Sequence, residues 1–187
     1  RNPDSTGLNH WVNQLNSGTS TRAQLIQSFM YSAAFQGRFG PLVRLYTAYF
    51  QRVPDYQGLM YWYNAMYPGS GTGNSLSQVS QAFAQSSEFG KTYGQLDKAG
   101  FVTRVYQNVL GRTPDTLGFT YWLGQLNAGI SRGEMMIGFS ESTENQNATA
   151  NSLLITMTYV GMLRRSPDTT GYAWWLAEVN AGRTTVL

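Results

Sequence analysis

The residues of this 187-residue chain that could do chemistry recur as a set. The pattern Arg-x-Pro-Asp-x-x-Gly-x-x-x-Trp stands at residues 1–11, 52–62, 112–122 and 165–175. An Asp three residues after an Arg sets a carboxylate acceptor beside a guanidinium donor, a pairing that suits sugar hydroxyls. The same pair has a structural use. Asp4, Asp55, Asp115 and Asp168 stand where a helix N-cap belongs, and Arg52, Arg112 and Arg165 could tie the end of a preceding helix to a carbonyl or to that Asp. Recurrence in every copy is what a structural requirement of the unit predicts, so the structural use is favoured.

Other chemistry is poorly supplied. The single histidine, His10, would have to serve any Ser-His-Asp arrangement alone. It fills a slot held by Tyr61, Tyr121 and Trp174 in the other copies, so it reads as a variant of an aromatic position. Glu141 and Glu144 are helical neighbours, but they lie among polar residues and read as a solvated face rather than a glycosidase pair. Calcium takes about six to eight oxygens, and each motif turn offers one carboxylate without an alternating Asp/Asn ladder. No catalytic residue, metal site or cofactor is expected. Asn147-Ala148-Thr149 matches a glycosylation acceptor, a pattern short enough to arise by chance.

The aromatic beside each motif Trp is more informative. Trp11, Trp62, Trp122 and Trp175 belong to an apolar helical stripe. At roughly 100° per residue, the preceding side chain points about 150° away from the centre of that stripe. His10, Tyr61, Tyr121 and Trp174 therefore face out of their own unit. They are either buried against the next repeat or exposed as platforms on which a sugar or a partner side chain stacks. Tyr63 and Tyr67, beside a Gly/Ser-rich loop at residues 69–74, could extend such a surface.

The elements that position these residues are helical. After each motif Gly the apolar residues fall at i, i+3, i+4 and i+7, as in Leu59, Trp62, Tyr63 and Met66 or Phe119, Trp122, Leu123 and Leu126. This helix B stops at Asn-x-Gly in three copies and at Tyr67-Pro68-Gly69 in the second. Helix C opens with a capping box, Thr21-x-x-Gln24, Ser75-x-x-Gln78 or Ser131-x-x-Glu134. It carries a Phe eight residues beyond the cap, at Phe29, Phe83 and Phe139. Two copies then end in Ser-x-x-Phe, at Phe35 and Phe89, where the third has Asn145. Helix A precedes the motif, with Tyr46, Tyr106 and Tyr159 six residues before the Arg. The reading is an all-α chain of tandem repeats of about three helices each, roughly ten helices in one array. The units are 1–40 (lacking A), 41–100, 101–151 and 152–187 (lacking C).

Composition agrees with a packed chain. Hydrophobic residues make up 42% and charged ones 12%, with a net charge of +3 in no basic run, which argues against nucleic acid. There is no cysteine, hence no disulfide or thiolate site. No apolar run is long enough for membrane insertion. The chain opens inside a motif, so it is expected to be a piece of a longer protein.

The run Tyr106-Gln107-Asn108-Val109-Leu110-Gly111-Arg112-Thr113-Pro114-Asp115, followed by Gly118, Tyr121-Trp122, Leu126-Asn127 and Gly129, resembles the bacterial DUF4214 family of unknown function. Copies 1 and 2 add its Phe-x-x-Ser-x-x-Phe ending, at Phe29-Ser32-Phe35 and Phe83-Ser86-Phe89. The resemblance implies a large secreted or surface protein, S-layer-like or adhesive, often beside calcium-binding repeats. A more distant similarity is to the helical linker domain of cyanobacterial phycobilisomes. The resemblance supplies no catalytic residues.

The expectation is therefore a non-catalytic extracellular or cell-surface module that binds polysaccharide through His10, Tyr61, Tyr63, Tyr67, Tyr121 and Trp174. The alternative is a purely architectural spacer or assembly unit contacting neighbouring protein subunits; an enzyme domain is the third class. Exposure of the outward rings divides the first two.

Overall fold

The computed structural model describes residues 4–184, so Arg1 and Pro3 of the first motif, and Thr185 at the expected start of a fourth helix C, lie outside the described residues. Among those described there are eleven α-helices, one π-helical turn and no strand. In chain order they are α1 (Ser5–Asn16), α2 (Arg22–Met30), α3 (Ala33–Phe50), α4 (Tyr56–Met66), α5 (Leu76–Ala84), α6 (Ser87–Tyr93), α7 (Lys98–Leu110), α8 (Thr116–Asn127), α9 (Arg132–Ser140), α10 (Thr143–Thr158) with the π turn Tyr159–Leu163, and α11 (Thr169–Asn180). The B helices are α1, α4, α8 and α11, and the C helices are α2, α5 and α9.

Each boundary has a local cause. All three capping boxes close in both directions, the cap hydroxyl taking the third N–H and the Gln or Glu side chain returning to the cap N–H. The B helices of copies 1, 3 and 4 are followed by Gly18, Gly129 and Gly182 at φ of 71°, 104° and 68°, the left-handed stop that glycine favours.

The Ser of Phe-x-x-Ser does a different job from the expected helix ending. Ser32, Ser86 and Ser142 N-cap the following helix, accepting from the N–H groups of Phe35, Phe89 and Asn145. Their hydroxyls donate back to the carbonyls of Phe29, Phe83 and Phe139. The motif is a hinge between C and the next A. In two places the segment after that Ser is fused to helix A, giving the long α3 and α10, which run unbroken through positions 40/41 and 151/152.

The eleventh helix arises at the junction that is not fused. Between copies 2 and 3 the chain breaks after α6, and Asp97 restarts it by capping Gly100. Arg132, at the start of α9, fills the break. It donates to the carbonyls of Tyr93 (2.9 Å) and Leu96 and lies over the ring of Phe101.

The core is built from α3, α5, α7, α9 and α10. Leu42, Leu45, Val79, Phe101, Val102, Val105, Met135 and Met136 are buried within it. Small residues let α5 and α9 cross closely: the Ser80 hydroxyl donates to the Gly133 carbonyl at 2.8 Å. The buried Tyr49 hydroxyl donates to the Ser80 carbonyl at 2.8 Å, and burial pushes it well above the usual tyrosine range. Packing is not confined to neighbouring copies. α10 lies against α3, and the Ser166 hydroxyl of copy 4 donates to the Pro54 carbonyl of copy 2. No described helix is long and apolar enough to cross a membrane.

Candidate functional site

The motif Asp makes the same cap in every copy. Asp4, Asp55, Asp115 and Asp168 cap their helices, accepting from Gly7, Gly58, Gly118 and Gly171 at 2.7–2.8 Å. In copies 2 and 3 a side chain in place of the glycine would crowd the turn. A Cβ at Gly118 would lie 2.1 Å from the Tyr106 hydroxyl, and one at Gly58 would lie 2.9 Å from the Asp55 carboxylate.

Helix A supplies a floor. Tyr46, Tyr106 and Tyr159 set their rings under Arg52, Arg112 and Arg165, with the guanidinium 4.9–5.3 Å from the ring centre. The Tyr46 hydroxyl donates to Asp55 at 3.3 Å. Burial raises the hydroxyl pKa of Tyr46 and Tyr106 above the ordinary value. The Arg then reaches its own capping Asp, at 3.8, 3.4 and 3.6 Å in copies 2, 3 and 4.

Two partners of this Arg are not visible in the motif. Arg52 makes a two-point pair with Glu88 at 3.0 and 3.1 Å. Arg112 does the same with Glu144 at 2.6 and 2.9 Å. Both glutamates stand two residues after the hinge Ser, so Ser-x-Glu in two copies was the available signal. Glu141 and Glu144 are accordingly not a free solvated face. Glu141 pairs with Arg44 at 2.9 and 2.5 Å, a largely buried link between α3 and α9. In copy 1 the corresponding position is Ala34.

In copies 3 and 4 the surroundings favour the carboxylate form of Asp115, Glu144 and Asp168. The Gly118 N–H beside Asp115, and the Gly171 N–H beside Asp168, lower those carboxyls below the ordinary value; Arg112 does the same to Glu144. Hydrogen bonds to Glu88 and Glu144 raise Arg52 and Arg112. Every group is engaged with another group of the fold. The arrangement locks A, B and the C–A hinge together, which is structural chemistry.

The motif tryptophans complete the unit. Trp11, Trp62 and Trp122 pack on the C-helix phenylalanines Phe29, Phe83 and Phe139 at centroid distances of 5.7, 5.3 and 5.2 Å. Asn145, in the place of Phe35 and Phe89, is buried and donates to the Ser140 carbonyl at 2.8 Å.

The neighbouring aromatics face water. Tyr61 is 65% exposed, Tyr121 58% and Trp174 55%, and His10 is exposed as well. Each stands edge-on to its motif Trp at 5.1, 5.1, 4.6 and 5.1 Å respectively. Tyr63 and Tyr67 turn the other way. Tyr63 stacks flat on Phe39 at 4.1 Å, and Tyr67 leans on Tyr63 and under Arg38. They continue the Phe35–Phe39 ladder, so one face of Tyr63 is already occupied and the outward set narrows to four rings.

The family profile described as Domain of unknown function (DUF4214) matches residues 1–39 and 80–149, more than half of the chain. The chain belongs to the DUF4214 family. Copy 3 lies almost wholly inside the match, while residues 41–79 of copy 2, with its motif and Gly/Ser loop, and all of copy 4 lie outside it. No curated protein and no solved structure matches the chain.

Proposed function

We propose that this DUF4214 chain is a non-catalytic module of a larger bacterial secreted or cell-surface protein, and that it holds polysaccharide on the outward rings of its B helices. The single observation that supports this most is the exposure of Tyr61, Tyr121 and Trp174 at one equivalent position. A ring wedged edge-on against a Trp has little rotamer freedom to lose, so stacking a sugar face on it costs little entropy. One helical turn to either side of Tyr61 are the exposed amides Gln57 and Asn64, within reach of the hydroxyls of a sugar stacked there. Around Tyr121 the turn before carries the exposed Leu117, so that platform favours a less polar sugar face. The extracellular setting rests on the family resemblance.

Affinity electrophoresis against a panel of bacterial surface polysaccharides tests this. Retardation by at least one of them, lost in Tyr61→Ala, supports it; no retardation by any overturns it.

An architectural reading is favoured by one separate feature. Leu8, Val12 and Phe29 at the first copy are exposed apolar side chains on otherwise regular helices, as a surface contacting another protein would be.

A further inference from the structure

Copy 3 departs from copies 1 and 2 just after its hinge Ser. There copies 1 and 2 carry an aromatic pair one helical turn apart, Phe35 with Phe39 at 4.8 Å and Phe89 with Tyr93 at 4.9 Å. The same two positions in copy 3 are Asn145 and Thr149. Both line a cavity of about 130 Å³ between α3, α7 and α10, together with Arg44, Thr47, Gln51 and Asn108. All of its walls lie between residues 44 and 149, well inside the chain.

The lining is polar, and the fold holds its amides by their nitrogens. Asn145, only 3% exposed, donates from Nδ2 to the Ser140 carbonyl at 2.8 Å. Asn108 Nδ2 donates to the Tyr93 hydroxyl at 2.9 Å, and Gln51 Nε2 to the Ala48 carbonyl at 3.1 Å. The Thr47 and Thr149 hydroxyls donate to the carbonyls of Val43 and Asn145. The three amide oxygens accept from nothing among the described residues, and both hydroxyl oxygens keep acceptor capacity. Every fully buried side-chain nitrogen or oxygen among the described residues has a partner. The unpaired Asn145 oxygen therefore opens onto space, and the cavity is the space its side chain lines. Arg44 is answered by Glu141, so the lining brings no uncompensated charge.

We propose that this cavity is a binding site for one neutral pyranose ring, whose hydroxyls donate to the oxygens of Gln51, Asn108 and Asn145. Its size is close to the roughly 150 Å³ of a cavity that takes a single six-membered ring. An apolar ring would leave the amide oxygens unpaired, and a bare cation would face the Arg44 guanidinium. A ring that carries hydroxyls meets neither cost. Gln51 is exposed and stands at the mouth; with Thr47 it also lines a wider groove of about 490 Å³ that reaches Tyr172. The ligand class is that of the proposed function, but none of the outward rings lines this cavity. The inference rests on the cavity's own hydrogen-bonding groups.

The test titrates the 187-residue chain with the methyl pyranosides of glucose, galactose, mannose, N-acetylglucosamine and rhamnose. The readout is the pair of side-chain amide resonances of Asn108 and Asn145. At least one glycoside is expected to shift both saturably, with a dissociation constant of about 1–10 mM for a ligand of that size. Asn145→Phe, which restores the residue of copies 1 and 2, is expected to fill the cavity and abolish the Asn108 shift while the chain stays folded. Thr149→Val keeps the volume, removes one hydroxyl and is expected to weaken binding severalfold; it decides the matter if Asn145→Phe fails to fold. No saturable shift with any glycoside at about 50 mM overturns the proposal. So does unchanged affinity in folded Asn145→Phe or in Thr149→Val. Joint replacement of Tyr61, Tyr121 and Trp174 by Ala is expected to leave the shifts intact. Their loss in that variant places the sugar on the outward rings and overturns this proposal alone; intact shifts without polysaccharide retardation overturn the outward-ring reading alone.

Discussion

Arg112 and Glu144 meet in a two-point pair, Nε to Oε1 at 2.6 Å and Nη2 to Oε2 at 2.9 Å, across 32 residues of chain. The glutamate belongs to the hinge that leaves helix C, and the arginine to the turn that enters helix B. One contact thus fixes where the third element of a copy returns to the first two. Arg52 and Glu88 repeat it across 36 residues, the longer Gly/Ser loop being absorbed without changing the contact.

The glycines of α8 should respond to alanine in opposite directions. Gly124 faces open space, so Gly124→Ala is expected to stabilise by about 0.5–1 kcal/mol through helix propensity. Gly118 lies under the Tyr106 hydroxyl, and Gly118→Ala should instead destabilise by about 1–3 kcal/mol despite the same propensity gain. Denaturant midpoints of the two variants, measured side by side, check this.

The two kinds of ion pair should differ in weight. Arg44 and Glu141 are largely shielded from water, so Glu141→Gln is expected to cost about 1–3 kcal/mol by weakening a buried cation's partner. The exposed Arg112–Glu144 contact is screened, and Glu144→Gln should cost less, with a further loss of effect at high salt. Urea titrations at low and high ionic strength separate the two.

Residues 51, 111 and 164 occupy the same left-handed position before the motif Arg, at φ of 55°, 66° and 53°, yet only copy 3 uses glycine there. Arg164→Gly should therefore stabilise by about 1 kcal/mol, contrary to the usual effect of adding glycine. A thermal melt of the variant gives the sign directly.

Stability should have a plateau with an edge on either side. The carboxyls of Asp115, Glu134, Glu144, Asp168 and Glu178 are lowered from 3.8 or 4.5, so their contribution is complete above those values and is lost as pH falls through the lowered ones. The hydroxyls of Tyr46, Tyr49, Tyr93 and Tyr106 are raised from 10.0 by burial. In the folded chain they keep their protons where the unfolded chain has lost them, so stability falls as pH rises beyond 10.0. Melting temperatures are expected to be flat from about pH 5 to 10 and to drop at each end.

Much of this was legible in the residues because the relevant forces are local. Helix B, its Asp cap, its stop and the capping box of helix C each depend on side chains within four positions of the backbone they satisfy, and all were read correctly. The outward direction of Tyr61, Tyr121 and Trp174 followed from helical geometry alone, whereas their exposure depended on where other copies pack. What was missed is long-range. Glu88 and Glu144 lie 36 and 32 residues from their arginines, an unequal spacing that hides the pairing. The break after Tyr93 is held by Arg132, which no local pattern near residue 94 announces. Direct contact between copies 2 and 4, through Ser166 and Pro54, joins units that are not adjacent in the chain and has no local sequence signal.

The most direct test of the functional account is the polysaccharide affinity of the triple variant Tyr61→Ala, Tyr121→Ala, Trp174→Ala, measured with its melting temperature. The account predicts that binding falls by about tenfold or more while the melting temperature stays within a few degrees, since exposed rings contribute little to the core. Unchanged affinity in the folded variant, or a collapse of the melting temperature, would contradict it.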